Sequence, residues 1–245
     1  LYMQRLILLG LVLILSLLAS AIPALPISAQ AKTGITISPL RQEGTIDPGF
    51  VYAGTLLITN SGSQTQQISL SAETFNVTGQ TYEYLFKTDT TESGWVSFDR
   101  SSLLLNPDET ATVTYQVSIP IGTEPGGYYL ALFALNRSDS SSVGGISPTE
   151  RVASLLYLAV SGDATRTGQL VQLKSPYIVF GETSWSATLQ NKGTLHYRSA
   201  YSSKVSSILN HQLSFHEDSR LILPGTIRLV EDQIQLPELL GLYKL

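Results

Sequence analysis

The chain has 245 residues, 43% of them hydrophobic, with charged residues at only 14% and a formal net charge of −4. A globular protein averages about 25% charged residues, so Ser, Thr, Asn, Gln and Gly must cover most of this surface, which suits an extracellular β-protein better than a cytosolic enzyme. No basic run is present, which argues against nucleic acid as a partner, and the absence of cysteine excludes disulfides, zinc–thiolate sites and thiol catalysis.

The first residues, LYMQRLILLGLVLILSLLASAIPALPISAQA, read as a targeting device. Arg5 supplies the positive start, an apolar run follows, and Pro23 and Pro26 break any helix before the small-x-small site Ala29-Gln30-Ala31. Cleavage is expected after Ala31. An uncleaved membrane anchor is the alternative, because the run approaches the roughly 20 residues a span requires. In both cases the remainder lies outside the cytoplasm.

From Thr33 onward the period is that of strands, and a helical stripe is legible at most in the last dozen residues. Residues 35–39 form a first strand. Residues 41–49 read as a loop ending in Asp47-Pro48-Gly49, where proline presets φ and glycine tolerates positive φ. Residues 51–60 are a strong strand that turns at Asn60-Ser61-Gly62-Ser63. Residues 67–77 alternate, with Ile68, Leu70 and Ala72 on one face. After the turn Thr78-Gly79-Gln80, the aromatics Tyr82, Tyr84 and Phe86 share one parity. Trp95, Val96 and Phe98 follow a polar loop, with Trp95 expected to plug the core. Residues 103–105 lead through Asn106-Pro107-Asp108-Glu109 to residues 111–120, where Val113, Tyr115, Val117 and Ile119 alternate with polar partners.

The run Pro125-Gly126-Gly127 then opens into Tyr-Tyr-Leu-Ala-Leu-Phe-Ala-Leu, residues 128–135. Near-continuous apolarity predicts a central strand covered on both faces. Tyr128 and Tyr129 point to opposite faces, one into the core. Residues 136–148 form a Ser/Gly-rich hairpin loop, and residues 151–160 return as a strand. About seven or eight strands in roughly 130 residues is the size of an immunoglobulin-like sandwich. A polar linker at 162–168 precedes a second β-module at 169–245, with strands at 169–175, 184–189, 208–215 and 220–223 and a turn at Asn191-Lys192-Gly193. About 80 residues falls short of a full sandwich, so this module is expected to be incomplete. The fold class is all-β: tandem immunoglobulin-like sandwiches, 32–161 and 169–245, after an N-terminal signal or anchor helix at 1–31.

The order ITISP, DPG, a strand ending in N-S-G, W-x-x-F, LLLNPDETATVTYQVSIP and EPGGYYLALFAL resembles the N-terminal peptidoglycan-binding domain of WxL-interacting surface proteins in Gram-positive bacteria. The N-terminal domain of pilus chaperones shares the general pattern. The resemblance spans residues 34–160 and implies an immunoglobulin-like domain, a second sandwich, a C-terminal membrane helix with a basic tail, and peptidoglycan as ligand. The chain departs from it: no apolar span follows Leu223, and no Leu-Pro-x-Thr-Gly sorting signal occurs.

Candidate chemistry is sparse. His211 and His216 are five apart, which on a strand places them on opposite faces; both read as solvated loop residues, and no metal site is expected. His196 reads as a structural hydrogen-bonding residue. The pairs Asp108-Glu109, Glu217-Asp218 and Glu231-Asp232 sit in turns and point apart, unlike the opposed carboxylates of glycosidases. Asp139-Ser140-Ser141-Ser142 lacks the charge of a calcium loop. No Gly-x-Ser-x-Gly elbow and no Gly-x-x-x-x-Gly-Lys loop occurs, so no catalytic residue and no cofactor is assigned. Asn76-Val77-Thr78 and Asn136-Arg137-Ser138 fit glycosylation sequons. The ligand-contact candidates are Tyr82, Tyr84 and Phe86, whose rings would stack on sugars; packing of this face on the opposite sheet is the open alternative.

Three functional expectations follow from these readings. The first is a non-catalytic cell-envelope protein that binds cell-wall glycan. The second is a protein–protein adhesion or scaffold module that pairs with another surface protein through an edge strand, at residues 35–39 or the open second module. The third is the accessory region of a cell-wall enzyme.

Overall fold

Alternation along short β-branched segments is the local rule that builds the first module. The computed structural model describes residues 34–137, 149–176, 182–207, 212–235 and 243–244. The signal segment with its cleavage point after Ala31, His211 and most of the 136–148 loop, including Asp139, lie outside the described residues. Lys32–Leu245 forms one compact unit.

In chain order the strands are β1 (Ile35–Ser38), β2 (Arg41–Ile46), β3 (Val51–Asn60), β4 (Gln66–Thr78) and β5 (Glu83–Lys87). A 3₁₀ turn at Ser93–Trp95 precedes β6 (Val96–Phe98), β7 (Ser102–Leu105), β8 (Thr110–Ser118), β9 (Gly126–Arg137) and β10 (Thr149–Val160). One sheet has the order β1-β3-β8-β6; the other runs β2-β10-β9-β4-β5, with β7 also on β4. The sheets close on a core that includes Ile37, Leu56, Ile58, Ile68, Val113, Tyr115, Leu130, Leu132, Leu156 and Leu158. This is a two-sheet β-sandwich, and the residues that build its inner faces are those the alternation selects.

The central strand β9 is covered on both sides. Leu130, Leu132 and Ala134 face the sandwich core, while Ala131 and Phe133 join a second apolar cluster on the outer face. Gly54 sits opposite Tyr115 in the β3–β8 ladder, and a Cβ there would run into the Tyr115 ring. The absence of a side chain is what admits the tyrosine, whose hydroxyl donates to Gln42 Oε1 at 3.0 Å.

The second module consists of β11 (Gly168–Lys174), β12 (Glu182–Asn191), β13 (Tyr197–Ser207), β14 (Gln212–Ile222), β15 (Ile227–Gln235) and β16 (Tyr243–Lys244). Two three-stranded sheets result, β11-β12-β15 and β14-β13-β16. Their common core is small: Trp185, Ala187, Val205, Val230 and Ile234, with Leu189 and Tyr201 packed against it.

One device occurs in both modules. Asn60 is fully buried at the end of β3; its amide donates to Gln64 O at 2.8 Å and Leu105 O at 2.9 Å, and its Oδ1 accepts from Gly62 N at 2.9 Å. Its backbone exchanges bonds with the turn between β7 and β8, Asn60 N to Glu109 O and Asp108 N to Asn60 O. Asn191 repeats the pattern at the end of β12, with Nδ2 donating to Leu195 O and Ile222 O, Gly193 N donating to Oδ1, and backbone bonds to Thr226 and Gly225. The two Asn-x-Gly clips align the modules strand for strand: β1, β3 and β8 correspond to β11, β12 and β15, and the β4–β7 pair corresponds to β13–β14. The duplicated Asn-x-Gly was legible in the sequence as a turn; its role as a buried clip was not.

Several expectations are corrected. Residues 41–46 are a strand rather than a loop; the polar text of Arg41-Gln42-Glu43-Gly44 hides a parallel pairing with β10 that depends on a distant partner. Trp95 does not plug the core; it is half-buried at its margin, with its ring 5.1 Å from that of Tyr128. The separate strands expected near 208–215 and 220–223 are one strand, β14, so His216, Glu217 and Asp218 lie on a strand and not in a loop. Likewise Glu231-Asp232 lies within β15. Charged residues on a solvated strand face carry no apolar alternation to announce them. The strands β13 and β15 and the backbone pairing of Tyr243–Lys244 had no reading in the sequence beyond the faint terminal stripe.

Removing the clip should be costly, because each buried partner left without a bond loses its desolvation compensation. Asn60→Ala is expected to lower unfolding free energy by about 3 kcal/mol, and Asn191→Ala by a comparable amount, read from urea midpoints at constant slope. A loss under about 1 kcal/mol at either site would contradict the clip's role.

Candidate functional site

The outer face of the β2-β10-β9-β4-β5 sheet is apolar where an exposed sheet would be polar. Phe75 on β4, Ala131 and Phe133 on β9, and Tyr157 on β10 form its cluster, and the second module lays Leu221 and Leu223 on them. Part of this face is therefore an internal interface between modules, and part is left uncovered.

Tyr82 is the pin of the covered part. It occupies a turn with φ of +65°, is 6% exposed, and lies apart from Tyr84 and Phe86. Its hydroxyl lies 2.6 Å from Thr226 Oγ1 and accepts from Leu223 N at 3.0 Å. The Arg228 guanidinium sits 4.2 Å over its ring, and Leu229 N donates to Gln80 O at 2.9 Å. Burial raises the phenol pKa above its ordinary value. The parity that groups Tyr82 with the other two aromatics fails because the Gly79–Tyr82 turn interrupts the strand before β5 begins.

A second contact joins the modules through His196, which is buried at the entry to β13. Its Nδ1 lies 3.3 Å from the Tyr129 hydroxyl, and its ring stands 5.6 Å from that of Tyr129 and 5.8 Å from that of Tyr157. Gly127 N donates to Thr194 O at 3.0 Å, and Arg198 pairs with Glu43. Tyr129, expected as either core or exposed, instead faces the second module, while Tyr128 packs toward the core and donates to Glu124 O. The intervening segment is tied down as well: Thr165 exchanges bonds with Thr194 and Leu195, and Thr167 O accepts from Lys192 N at 2.8 Å.

The uncovered part centres on β5. Tyr84, Leu85 and Phe86 are 38%, 51% and 40% exposed. The Tyr84 and Phe86 rings lie within 10° of parallel, 6.2 Å apart, and both rest on buried Phe75. Arg151 sits 3.2 Å over the Phe133 ring, approaches Phe86, and pairs with Glu73. Among the described residues, β5 pairs with β4 alone, so its far edge presents unpaired backbone groups beside these rings.

The other candidates do not converge. His216 is exposed on β14, and Glu109 caps its own turn by accepting from Asn106. Among the described residues, no three His, Asp or Glu side chains gather to hold a metal, and no helix is long and apolar enough to cross a membrane.

No protein-family model matches the chain, and no curated protein matches it. Among solved structures it is similar to a chain of the chaperone–tip adhesin complex of CFA/I fimbriae, with 10% identity and a TM-score of 0.47 over 79% of this chain and 83% of that one. It is similar also to the class 5 fimbriae chaperone CfaA, with 9% identity and a TM-score of 0.46 over 79% and 84%. A chain of the Salmonella enterica SafA pilin–SafB chaperone complex gives 7% identity and a TM-score of 0.47 over 85% and 86%. Likeness at this level is a matter of strand arrangement, and function has to be argued from the residues themselves.

Two predictions follow from the inter-module contact. Tyr82→Phe keeps the ring and removes the hydroxyl, leaving Leu223 N without its acceptor; a loss of about 1–3 kcal/mol is expected by urea unfolding. Burial, the largest cause, holds the His196 pKa below its ordinary value; Arg166 and Arg198 act in the same direction and Glu43 against it. The unfolded chain then binds a proton that the folded chain refuses, so stability is retained above about pH 6.5 and lost as pH falls below it. His196→Gln should flatten that decline in thermal melts between pH 7 and 5; an unchanged slope would remove His196 as its source.

Proposed function

We propose that the chain is a non-catalytic module of the cell envelope that binds another surface protein through β5 and the uncovered aromatic face beside it. The observation that carries this reading is the coincidence, on one five-residue strand, of an unpaired sheet edge and three exposed large apolar side chains. An edge strand usually carries charge or a covering segment to prevent pairing; β5 keeps its charges at its two ends, Glu83 and Lys87, and presents Tyr84, Leu85 and Phe86 between them. A partner strand added there would satisfy the edge while its side chains rest on the two rings. The same sheet face already binds protein within the chain, where Leu221 and Leu223 pack on Phe75 and Tyr157. The apolar N-terminal segment with Ala29-Gln30-Ala31 supports a place outside the cytoplasm.

A second reading is favoured by ring geometry. Two parallel, part-exposed rings with Arg151 and Glu73 nearby suit stacking on a cell-wall glycan, the ligand implied by the resemblance to WxL-interacting proteins.

A photo-reactive residue at Leu85 is expected to yield one discrete protein adduct on intact cells, lost in the Tyr84→Lys/Phe86→Lys variant. Retention of the wild type on purified cell wall, abolished by the same pair and without any protein adduct, would replace the first reading with the second.

A further inference from the structure

The sequence of β5, Glu83-Tyr84-Leu85-Phe86-Lys87, complements itself when read backwards. A carboxylate and an ammonium stand at its two ends, an aromatic ring follows on each side, and a leucine is at the centre. All five residues are exposed. Neither Glu83 nor Lys87 has an ion-pair partner among the described residues, where the charged pairs are Arg100–Asp99, Arg151–Glu73, Arg198–Glu43 and Arg220–Asp218. The strand pairs with β4 along one edge, and no described strand occupies the other.

Two copies of one strand that pair antiparallel are related by a two-fold axis perpendicular to their sheet. That axis keeps outer face with outer face, and residues opposite each other share a face. Tyr84 and Phe86 lie on the outer face with Phe75, and Glu83, Leu85 and Lys87 have the other parity. A register shifted by one residue would oppose an outer side chain to an inner one and is excluded. Centring the axis on Tyr84 or on Phe86 sets one charged end against Leu85 and pairs only part of the strand. Centring it on Leu85 pairs all of it: Glu83 meets Lys87 at both ends, Tyr84 meets Phe86 twice, and Leu85 meets itself. Opposite charges and paired aromatics are the favourable cross-strand neighbours, and this register contains no like-charge pair.

We propose that β5 pairs antiparallel with β5 of a second copy of this chain, on a two-fold axis through Leu85. The inference rests on the reading of β5 as a strand-adding edge and names the partner that its sequence selects. The sheet β2-β10-β9-β4-β5 then continues without a break into the same strands of the second copy in reverse order. On its outer face the two Tyr84–Phe86 stacks join into one row of four rings, supported by Phe75 of each copy. On the other face the two Leu85 side chains cover each other. The contact is isologous, so it closes on a pair and leaves no edge of β5 for a third chain.

The test uses the full chain on intact cells. Leu85→Cys introduces a single thiol, because the chain has no cysteine. On the axis it faces its own counterpart with Cα atoms about 4.5–5.5 Å apart, within reach of a disulfide. Oxidation with copper–phenanthroline is expected to give a covalent dimer of twice the chain's mass. Adding Glu83→Lys or Lys87→Glu sets like charges across the axis and should lower the dimer yield at least tenfold. Co-expression of those two variants, one of them tagged, should restore a mixed dimer. Both changes in one chain should restore the dimer to within twofold of Leu85→Cys alone, which also shows that the exchanged ends leave the fold intact. Absence of a dimer from Leu85→Cys, or a yield indifferent to the charge changes, would overturn the proposal. A photo-adduct at Leu85 with a different polypeptide would leave β5 as a protein-binding edge and remove the second copy as its partner, whereas no protein adduct at all would remove both.

Discussion

A sheet that is apolar on both faces cannot end at water, and this constraint organises the molecule. The β2-β10-β9-β4-β5 sheet uses its inner face for the sandwich core and its outer face for Phe75, Phe133, Ala131 and Tyr157. Burial of a large apolar side chain is worth about 1.5–3 kcal/mol, so leaving that cluster open would forfeit much of a small domain's margin. The second module supplies Leu221 and Leu223 as cover, and Tyr82 fixes their position through bonds to Thr226 and Leu223. What the cover does not reach becomes the exposed strip on β5. The interface inside the chain and the surface offered to a partner are thus two parts of one face.

The duplicated asparagine clip explains how two modules of different sequence reach the same local geometry. A strand that ends in a sharp turn leaves carbonyls directed into the core, and an amide that donates twice and accepts once satisfies them without charge. With the clip in place the same three strand pairings follow in both modules: β1–β3, β3–β8 and β4–β7 in the first, β11–β12, β12–β15 and β13–β14 in the second. In the first module β9 and β10 then complete the second sheet, and in the second β16 begins to pair along β13 at Ser206 and Ser207.

Much of the first module was legible. Alternation located β4 and β8, and apolar content located β3, β9 and β10, each within two residues at either end, because each contributes a face to a continuous core. The unbroken apolarity of residues 128–135 reported a strand covered twice, although nothing in the text said that a second module would be the cover. The second module was harder to read because its core is small and much of its surface is solvated, so β13, β14 and β15 lack a strong apolar period. Of the site candidates, Tyr84 and Phe86 reach the surface together, whereas Tyr82 is diverted by a positive φ that sequence parity cannot register. His196 was legible as a structural hydrogen-bonding residue but its partner Tyr129 was not, and Thr226 became visible only as the partner of Tyr82, since long-range pairings leave no local mark.

The segment between the modules is short and knotted to its surroundings by hydrogen bonds, with Thr165 held by Thr194 and Leu195 and Thr167 by Lys192. At Gly193 even a methyl group would strike the Thr165 carbonyl. Such a joint works as a bracket rather than a swivel. Tension applied to one half would be carried into the other through the peptide ladder, without first being spent on straightening a slack tether.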